Sequence, residues 1–299
     1  PDGGKSIRLA AIDVWGNRSE KNIRVNRSAS TKAVLTYPGL DPTRNFRVTE
    51  RANAVALIIG VANYRPGGDG VPKAQYADID AKYFKDFAHL KLGVPERNIK
   101  VLTNARASRS DILISYKRWL RKVTRSGLSD VYVFFSGHGL STENGEDLYL
   151  LPHDGLPNIL QETSVSRSDL FKNIADLKPR SVSVFLDTCY SGTSRSNESR
   201  LLVASRPIMI VPKRSAVPSG FNVFSAASLK ETAKLLPEAR HGLFSYWLMR
   251  GLEGGADDNN DRKITTGELH AFISKNVSRI QPNQTPQLQG NKNSILVKW

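Results

Sequence analysis

Ser181-Val-Ser-Val-Phe-Leu-Asp187-Thr-Cys189-Tyr-Ser-Gly192 is the stretch on which the fold turns. Val182, Val184, Phe185 and Leu186 suit a strand buried on both faces of a sheet. The strand ends in a carboxylate, the chain's one cysteine and a Ser-Gly turn. Reactive groups in open α/β sheets gather beyond the carboxyl ends of the strands, which is where Cys189 falls. A second run has the same form. Val131-Tyr-Val-Phe-Phe135 leads into Ser136-Gly137-His138-Gly139, a histidine held between glycines. Glycines at that point let backbone N–H groups approach a substrate carbonyl without side-chain interference.

Composition narrows the field around these two strand ends. The 299 residues suffice for one large domain, or one domain plus a fragment. A hydrophobic fraction of 39% in regular runs indicates a packed core, not disorder. No apolar run reaches about 18 residues, so no membrane-spanning segment is expected. The start at Pro1, without methionine or signal peptide, suggests a piece of a longer protein. A single cysteine excludes an internal disulfide and a Cys/His metal cluster. A lone cysteine is most often a small buried hydrophobe; the strand-end position beside Asp187 and Gly192 sets this one apart. The net charge of +15 admits nucleic acid as a partner. The basic residues are scattered, however, and a soluble basic surface is the better reading.

In chain order, residues 5–26 alternate as a β-hairpin with a Gly-Asn turn, either an extra hairpin or the closing strands of an immunoglobulin-like domain. Residues 28–53 are polar and punctuated by Pro and Gly, a linker or an extended strap. From Ala54, strands alternate with helices. Val55–Gly60 and Ile99–Leu102 read as strands, and Ala77–Leu90 as a helix. A second helix, capped by Ser108, runs through Ile112, Ile114, Trp119 and Leu120. Strands near 148–151 and 221–224 and helices near 167–176, 242–252 and 267–277 complete the pattern. Repeated β–α alternation implies a mainly parallel sheet with helices on both faces.

Set beside these elements, five motifs resemble caspase-like cysteine peptidases of the metacaspase or orthocaspase type. They are Ala56-Leu-Ile-Ile-Gly60 with Asn63-Tyr64, Ala77-Asp-Ile-Asp80-Ala81, Phe134-Phe-Ser-Gly-His-Gly139, Asp187-Thr-Cys-Tyr-Ser-Gly192 and His241-Gly-Leu-Phe-Ser-Tyr246. The histidine lies about 50 residues upstream of the cysteine, as in caspases. The resemblance implies a caspase–hemoglobinase α/β fold over 54–299, with a p20-like part at 54–195, a loop at 195–220 and a p10-like part at 221–299. The hairpin of 1–27 and the linker of 28–53 precede it.

The resemblance also implies site residues. Cys189 is the nucleophile, His138 its proton partner, and the backbone N–H groups of Gly139 and Cys189 the oxyanion hole. His153 also follows a strand but lacks the Gly-His-Gly setting; His89, His241 and His270 read as structural or surface residues. Caspases hold a substrate aspartate with an arginine and carry Gln two residues before the cysteine. Those positions are Ala74 and Asp187 here, with Lys73 adjacent to the first. The metacaspase pocket maps instead to Asp80, Asp187 and Ser136, which implies cleavage after Arg or Lys. Alternatives are an Asp-specific caspase-like protease and a catalytically silent scaffold that binds partners.

Two loops carry further expectations. Arg195, Arg200, Arg206, Lys213 and Arg214 follow the cysteine, so an Arg/Lys-specific protease has candidate sites for cutting itself. Asp257, Asn259, Asp261, Lys263, Thr265 and Glu268 follow the twelve-residue EF-hand spacing, with Arg262 where the motif has Gly. That loop is a candidate calcium site, or else an acidic turn capping the last helix. The chemistry itself needs no cofactor. The family resemblance implies a monomer acting on protein or peptide substrates, and the immunoglobulin-like tail favours a secreted or envelope location.

Overall fold

The computed structural model describes residues 5–25, 37–65, 70–142, 147–188, 217–228 and 231–299. The N-terminal strands β1 (Lys5–Ile12) and β2 (Arg18–Val25) pair antiparallel, from Lys5 opposite Val25 to Ile12 opposite Arg18. Their connection is wider than the expected Gly-Asn turn. The Asp13 carboxylate accepts the backbone N–H groups of Trp15 and Asn17 and so organises a five-residue loop, with Gly16 at φ 87°. This hairpin belongs to a unit separate from Pro38–Trp299.

The second unit opens with β3 (Val55–Gly60), α1 (Ala77–Leu90), β4 (Ile99–Thr103), α2 (Arg109–Ile114), α3 (Leu120–Val123) and β5 (Asp130–Ser136). A small antiparallel sheet of β6 (Gly139–Ser141), β7 (Leu148–Leu150) and β8 (Val165–Ser166) follows, with α4 (Leu160–Thr163) before β8. Next come α5 (Arg167–Ala175), β9 (Ser181–Asp187) and β10 (Phe221–Ser225). The last part holds a hairpin of β11 (Leu235–Leu236) and β12 (His241–Gly242), α6 (Leu243–Arg250), β13 (Lys263–Thr265), α7 (Thr266–Ile280), β14 (Gln287–Gln289) and β15 (Ile295–Lys298).

Six strands form the central sheet in the order β14-β10-β9-β5-β3-β4. All neighbours are parallel except β14, which runs antiparallel to β10. Every residue of β3 and β5 is buried, as strands covered on both faces require. One face is aliphatic: Val55, Leu57, Val131, Val133, Val182 and Val184 pack with Ile112, Tyr116, Leu170 and Ile174 from helical segments.

The opposite face is layered, because register brings like residues side by side. Ala56, Tyr132, Ser183 and Asn222 form one row; Ile58, Phe134, Phe185 and Phe224 form the next. Gly60, Ser136 and Asp187 form the row at the carboxyl ends. Phe84 of α1 stacks on Phe134 at 4.5 Å between ring centroids, and Phe185 stacks on Phe224 at 5.1 Å. This aromatic row seats α1 beneath the row of strand ends. Gly60 is obligatory at its place, since a Cβ there would lie 2.4 Å from the Ala77 carbonyl oxygen.

One expectation about the helices is revised. The helix after Ser108 is not continuous: a π-helical stretch, Ser115–Trp119, separates α2 from α3. Its buried residues are Ile112, Ser115, Tyr116 and Leu120, while Ile114 is exposed. The wider turn, together with the hydroxyl of Tyr116 donating to Asp169 at 2.6 Å, sets that face. Of the two readings of residues 28–53, linker or extended strap, the described second half is a packed strap. Val48 N–H donates to the Leu90 carbonyl and Arg51 N–H to that of Gly93. Phe46 lies flat on Trp299 at 3.7 Å. The buried carboxylate of Glu253 accepts Asp41 N–H and Arg44 Nη1, both at 2.7 Å.

Candidate active site

The level row Gly60–Ser136–Asp187 fixes where the reactive segments leave the sheet. His138 and Cys189 each follow that row by two residues, one on β5's exit and one on β9's. Cys189, and with it the basic loop residues Arg195, Arg200, Arg206, Lys213 and Arg214, lie outside the described residues. The two strand exits are tied together: Gly137 N–H donates to the Asp187 carbonyl at 3.3 Å.

His138 is buried and its ring is held from several sides. Its backbone N–H donates to the Tyr64 hydroxyl at 2.8 Å, and the two rings stack with centroids 5.1 Å apart. Its Nε2 lies 2.8 Å from the Pro72 carbonyl oxygen. A carbonyl only accepts, so Nε2 carries the proton and Nδ1 is the basic nitrogen of the neutral ring. A Cβ on Gly137, at φ 158°, would come within 3.1 Å of the Phe135 ring and 3.2 Å of the Tyr64 hydroxyl, a close approach that favours glycine. The next residue, Gly139, is buried at the start of β6, where Leu151 N–H meets the His138 carbonyl.

Asp80, Asp187 and Ser136, far apart in sequence, converge. All three are fully buried. Asp80 lies in the first turn of α1, where Oδ2 accepts Gly242 N–H at 3.1 Å and lies 3.5 Å from Ser136 Oγ. Its Oδ1 accepts from His241 Nδ1 at 2.7 Å. Asp187 Oδ2 accepts the hydroxyl of Ser245 at 2.6 Å and its N–H at 3.3 Å. A Cβ at Gly242 would sit 2.1 Å from Asp187 Oδ2 and 3.1 Å from Asp80 Oδ2. The two carboxylates therefore meet at a glycine, and nothing larger fits between them.

His241 and Ser245 are the residues sequence reading did not place at this site. Both lie in the quoted His241–Tyr246 motif, but their partners are in α1 and β9, and no local pattern announces such pairing. The other histidines have separate duties. His153 Nδ1 lies 2.7 Å from the Asn63 carbonyl, bracing the segment that carries Tyr64. His89 lies against the Val94 carbonyl and His270 against that of Pro286. Ala74, at the caspase arginine position, is fully buried among Ala62 and Ala77, and Lys73 beside it is exposed.

The loop with EF-hand spacing is folded around its own backbone. Asp257 accepts the N–H groups of Asp261 and Arg262, and Asp261 accepts that of Lys263. Glu268 and Thr265 make a capping box on α7. Asn259 turns its amide N–H₂ towards Glu268, and Lys263 Nζ lies 3.2 Å from Asp261. The side-chain oxygens that calcium would need are thus engaged by the loop's own N–H groups, the Asn259 amide and the Lys263 ammonium, while Lys263 itself would offer only its backbone carbonyl. Among the described residues no group of three metal-ligating His, Cys, Asp or Glu side chains comes together. As folded here, the six residues do not fit the ion.

The sequence profile of the Peptidase C14 caspase domain matches residues 53–295. The chain belongs to the caspase-domain peptidase family. Among solved structures, the protein GSU0716 from Geobacter sulfurreducens superposes with a TM-score of 0.59 at 18% identity, covering 83% of this chain and 97% of that one. Caspase-1 from Spodoptera frugiperda superposes with a TM-score of 0.55 at 14% identity, covering 88% of this chain and 98% of that one. At these identities the likeness is one of fold. No curated protein sequence matches the chain. The caspase domain's core is thus the mostly parallel sheet described above, and a cysteine-peptidase type of function goes with the family.

Proposed function

We propose that this caspase domain is an endopeptidase cleaving after Arg or Lys, with Cys189 as nucleophile and His138 as its proton partner. The supporting observation is the level row of strand ends: Ser136 and Asp187 are register partners, and His138 and Cys189 each follow their partner by two residues in the sequence. In this reading the Cys189 thiol gives its proton to His138 Nδ1, and the thiolate adds to the scissile carbonyl carbon. The tetrahedral oxyanion is held by the backbone N–H groups of Gly139 and Cys189; one such donor is typically worth about 3–4 kcal/mol. The C–N bond then breaks as the imidazolium protonates the leaving amine, and water hydrolyses the thioester.

The preference for Arg or Lys rests on Asp80, Asp187 and Ser136. Two buried carboxylates around Gly242 make a site of negative potential, which favours a guanidinium or ammonium and opposes an aspartate. Self-cleavage at the basic residues between Arg195 and Arg214 belongs to the same reading. Calcium takes no part in these steps, and stimulation by it is a separate arm of the assay.

A peptidyl-arginine chloromethyl ketone tests the assignment. Peptide mapping should place one alkyl adduct on Cys189, formed far faster than with the aspartyl analogue and slowed at least a hundredfold in His138→Ala. Equal labelling by both reagents, or labelling indifferent to His138, contradicts it.

A further inference from the structure

The row beneath the aromatic layer is polar where a sheet interior is ordinarily apolar. Tyr132, Ser183 and Asn222 stand side by side on β5, β9 and β10, at exposures of 3%, 3% and 4%. Such groups are costly to bury unless something accepts their hydrogen bonds. They line a cavity of about 280 Å³, completed by Arg51 of the strap, Asp130, Arg180 and the start of β15.

The hydrogen bonds inside it are lopsided. Asp130 is fully used: Oδ1 accepts Arg180 Nε at 2.9 Å and the Ser181 hydroxyl at 2.7 Å, while Oδ2 accepts Arg51 Nη1 at 2.8 Å and Arg180 Nη2. Two guanidiniums against one carboxylate leave the cavity with a surplus positive charge. The Tyr132 oxygen accepts from Arg51, which leaves its O–H to donate. Asn222 Oδ1 accepts Asn291 N–H at 2.9 Å, which leaves its amide N–H₂ to donate. The Ser183 hydroxyl and Arg180 Nη1 add further donors. A positively charged cavity lined by donors, with its acceptors already engaged, suits a ligand that only accepts.

We propose that this cavity binds a small oxyanion, a carboxylate or a phosphate, at a site distinct from the catalytic one. It sits four residues below the Ser136–Asp187 row on the same strands, about 13 Å away at the usual rise of about 3.3 Å per residue. Arg180, with 58% of its side chain exposed, stands at the mouth. A bound oxyanion would bridge strap, sheet and C-terminal strand, and so raise the stability of the whole unit.

The test is thermal unfolding and calorimetric titration of the full chain with inorganic phosphate and, separately, malonate. Sodium chloride holds the ionic strength constant throughout. A saturable rise in Tm with one-site heat is expected from at least one probe; a response to phosphate alone marks a phosphoryl site and to malonate alone a carboxylate site. Arg180→Gln and Ser183→Val should each weaken binding at least tenfold. Ser183→Val keeps a strand-favouring side chain, so it reports on the site even if Arg180→Gln loosens the Asp130 contacts. No saturable response to either probe, or a response unchanged in both variants, overturns the proposal.

Discussion

Gly242 is the point at which a single methyl group tests the candidate specificity pocket. Its hydrogen faces Asp187 Oδ2 and Asp80 Oδ2, so Gly242→Ala forces the carboxylates apart. Overpacking of this kind typically costs about 1–3 kcal/mol. The expected result is a drop in kcat/KM on arginyl peptides of about ten- to a hundredfold, with a native circular dichroism spectrum. Asp187→Asn should keep an oxygen for the Ser245 hydroxyl while removing a charge. It should therefore raise KM for Arg and Lys substrates more than it lowers Tm, read from steady-state kinetics beside a melting curve. Much at this scale was legible from sequence. The Gly-His-Gly and Asp-Thr-Cys segments stood at strand ends by pattern alone, whereas Asp80, Asp187 and Ser136 were set together only by the resemblance to metacaspases. The partners of those groups were not legible: His241 reaches Asp80 and Pro72 reaches His138 across the fold, through contacts that leave no periodicity behind.

Among the elements, the strap of residues 38–53 carries the clearest energetic predictions. Lys91, at the end of α1, is buried with Nζ donating to the Arg44 and Phe46 carbonyls beneath the Phe46 ring. Burial pushes its ammonium down to about 8, despite the opposing charges of Glu253 and Asp41. Between that value and the ordinary 10.5, the folded chain binds fewer protons than the unfolded one. The Lys91 contribution to stability should therefore rise as pH climbs from about 8 to 10.5 and be flat below. Urea unfolding of wild type and Lys91→Met across that range should show a difference that changes only there. Asp130 behaves oppositely. Burial alone would raise its pKa, but hydrogen bonds from Arg180 and Ser181 and the charge of Arg51 hold it below the usual carboxylate range. Its stabilisation is present at neutral pH and lost as pH falls through that depressed value. Asp130→Asn should narrow its stability gap to wild type in acid unfolding below about pH 4. Sequence reading left linker and extended strap both open in this region, because polar residues and Pro-Gly breaks suit either. What makes it a strap is tertiary: Phe46 on Trp299 and Arg51 beneath the sheet. The π-helical stretch at 115–119 escaped for a related reason, since Tyr116 is turned inward by Asp169, a residue of another helix.

At the scale of the whole molecule, the hairpin and the caspase domain are separate units, a division that strand alternation left open between an extra hairpin and the end of another domain. Removing residues 1–37 should leave Tm and peptide hydrolysis within error of the full chain, because the strap begins at Pro38. The alternation of strands and helices also carried the mostly parallel sheet, since strands buried on both faces read as unbroken apolar runs. Their in-register rows, which stack an oxyanion-suited layer, an aromatic layer and the candidate pocket on one face, depend on pairing that no single segment reveals. Hydrolysis of matched fluorogenic peptides ending in Arg, Lys or Asp bears most directly on the central claim. It would be run with and without calcium on wild type and Cys189→Ala. The account predicts turnover after Arg and Lys, little after Asp, and loss of all turnover in Cys189→Ala. Cleavage after Asp in preference to Arg, or no turnover of any peptide by wild type, would contradict it.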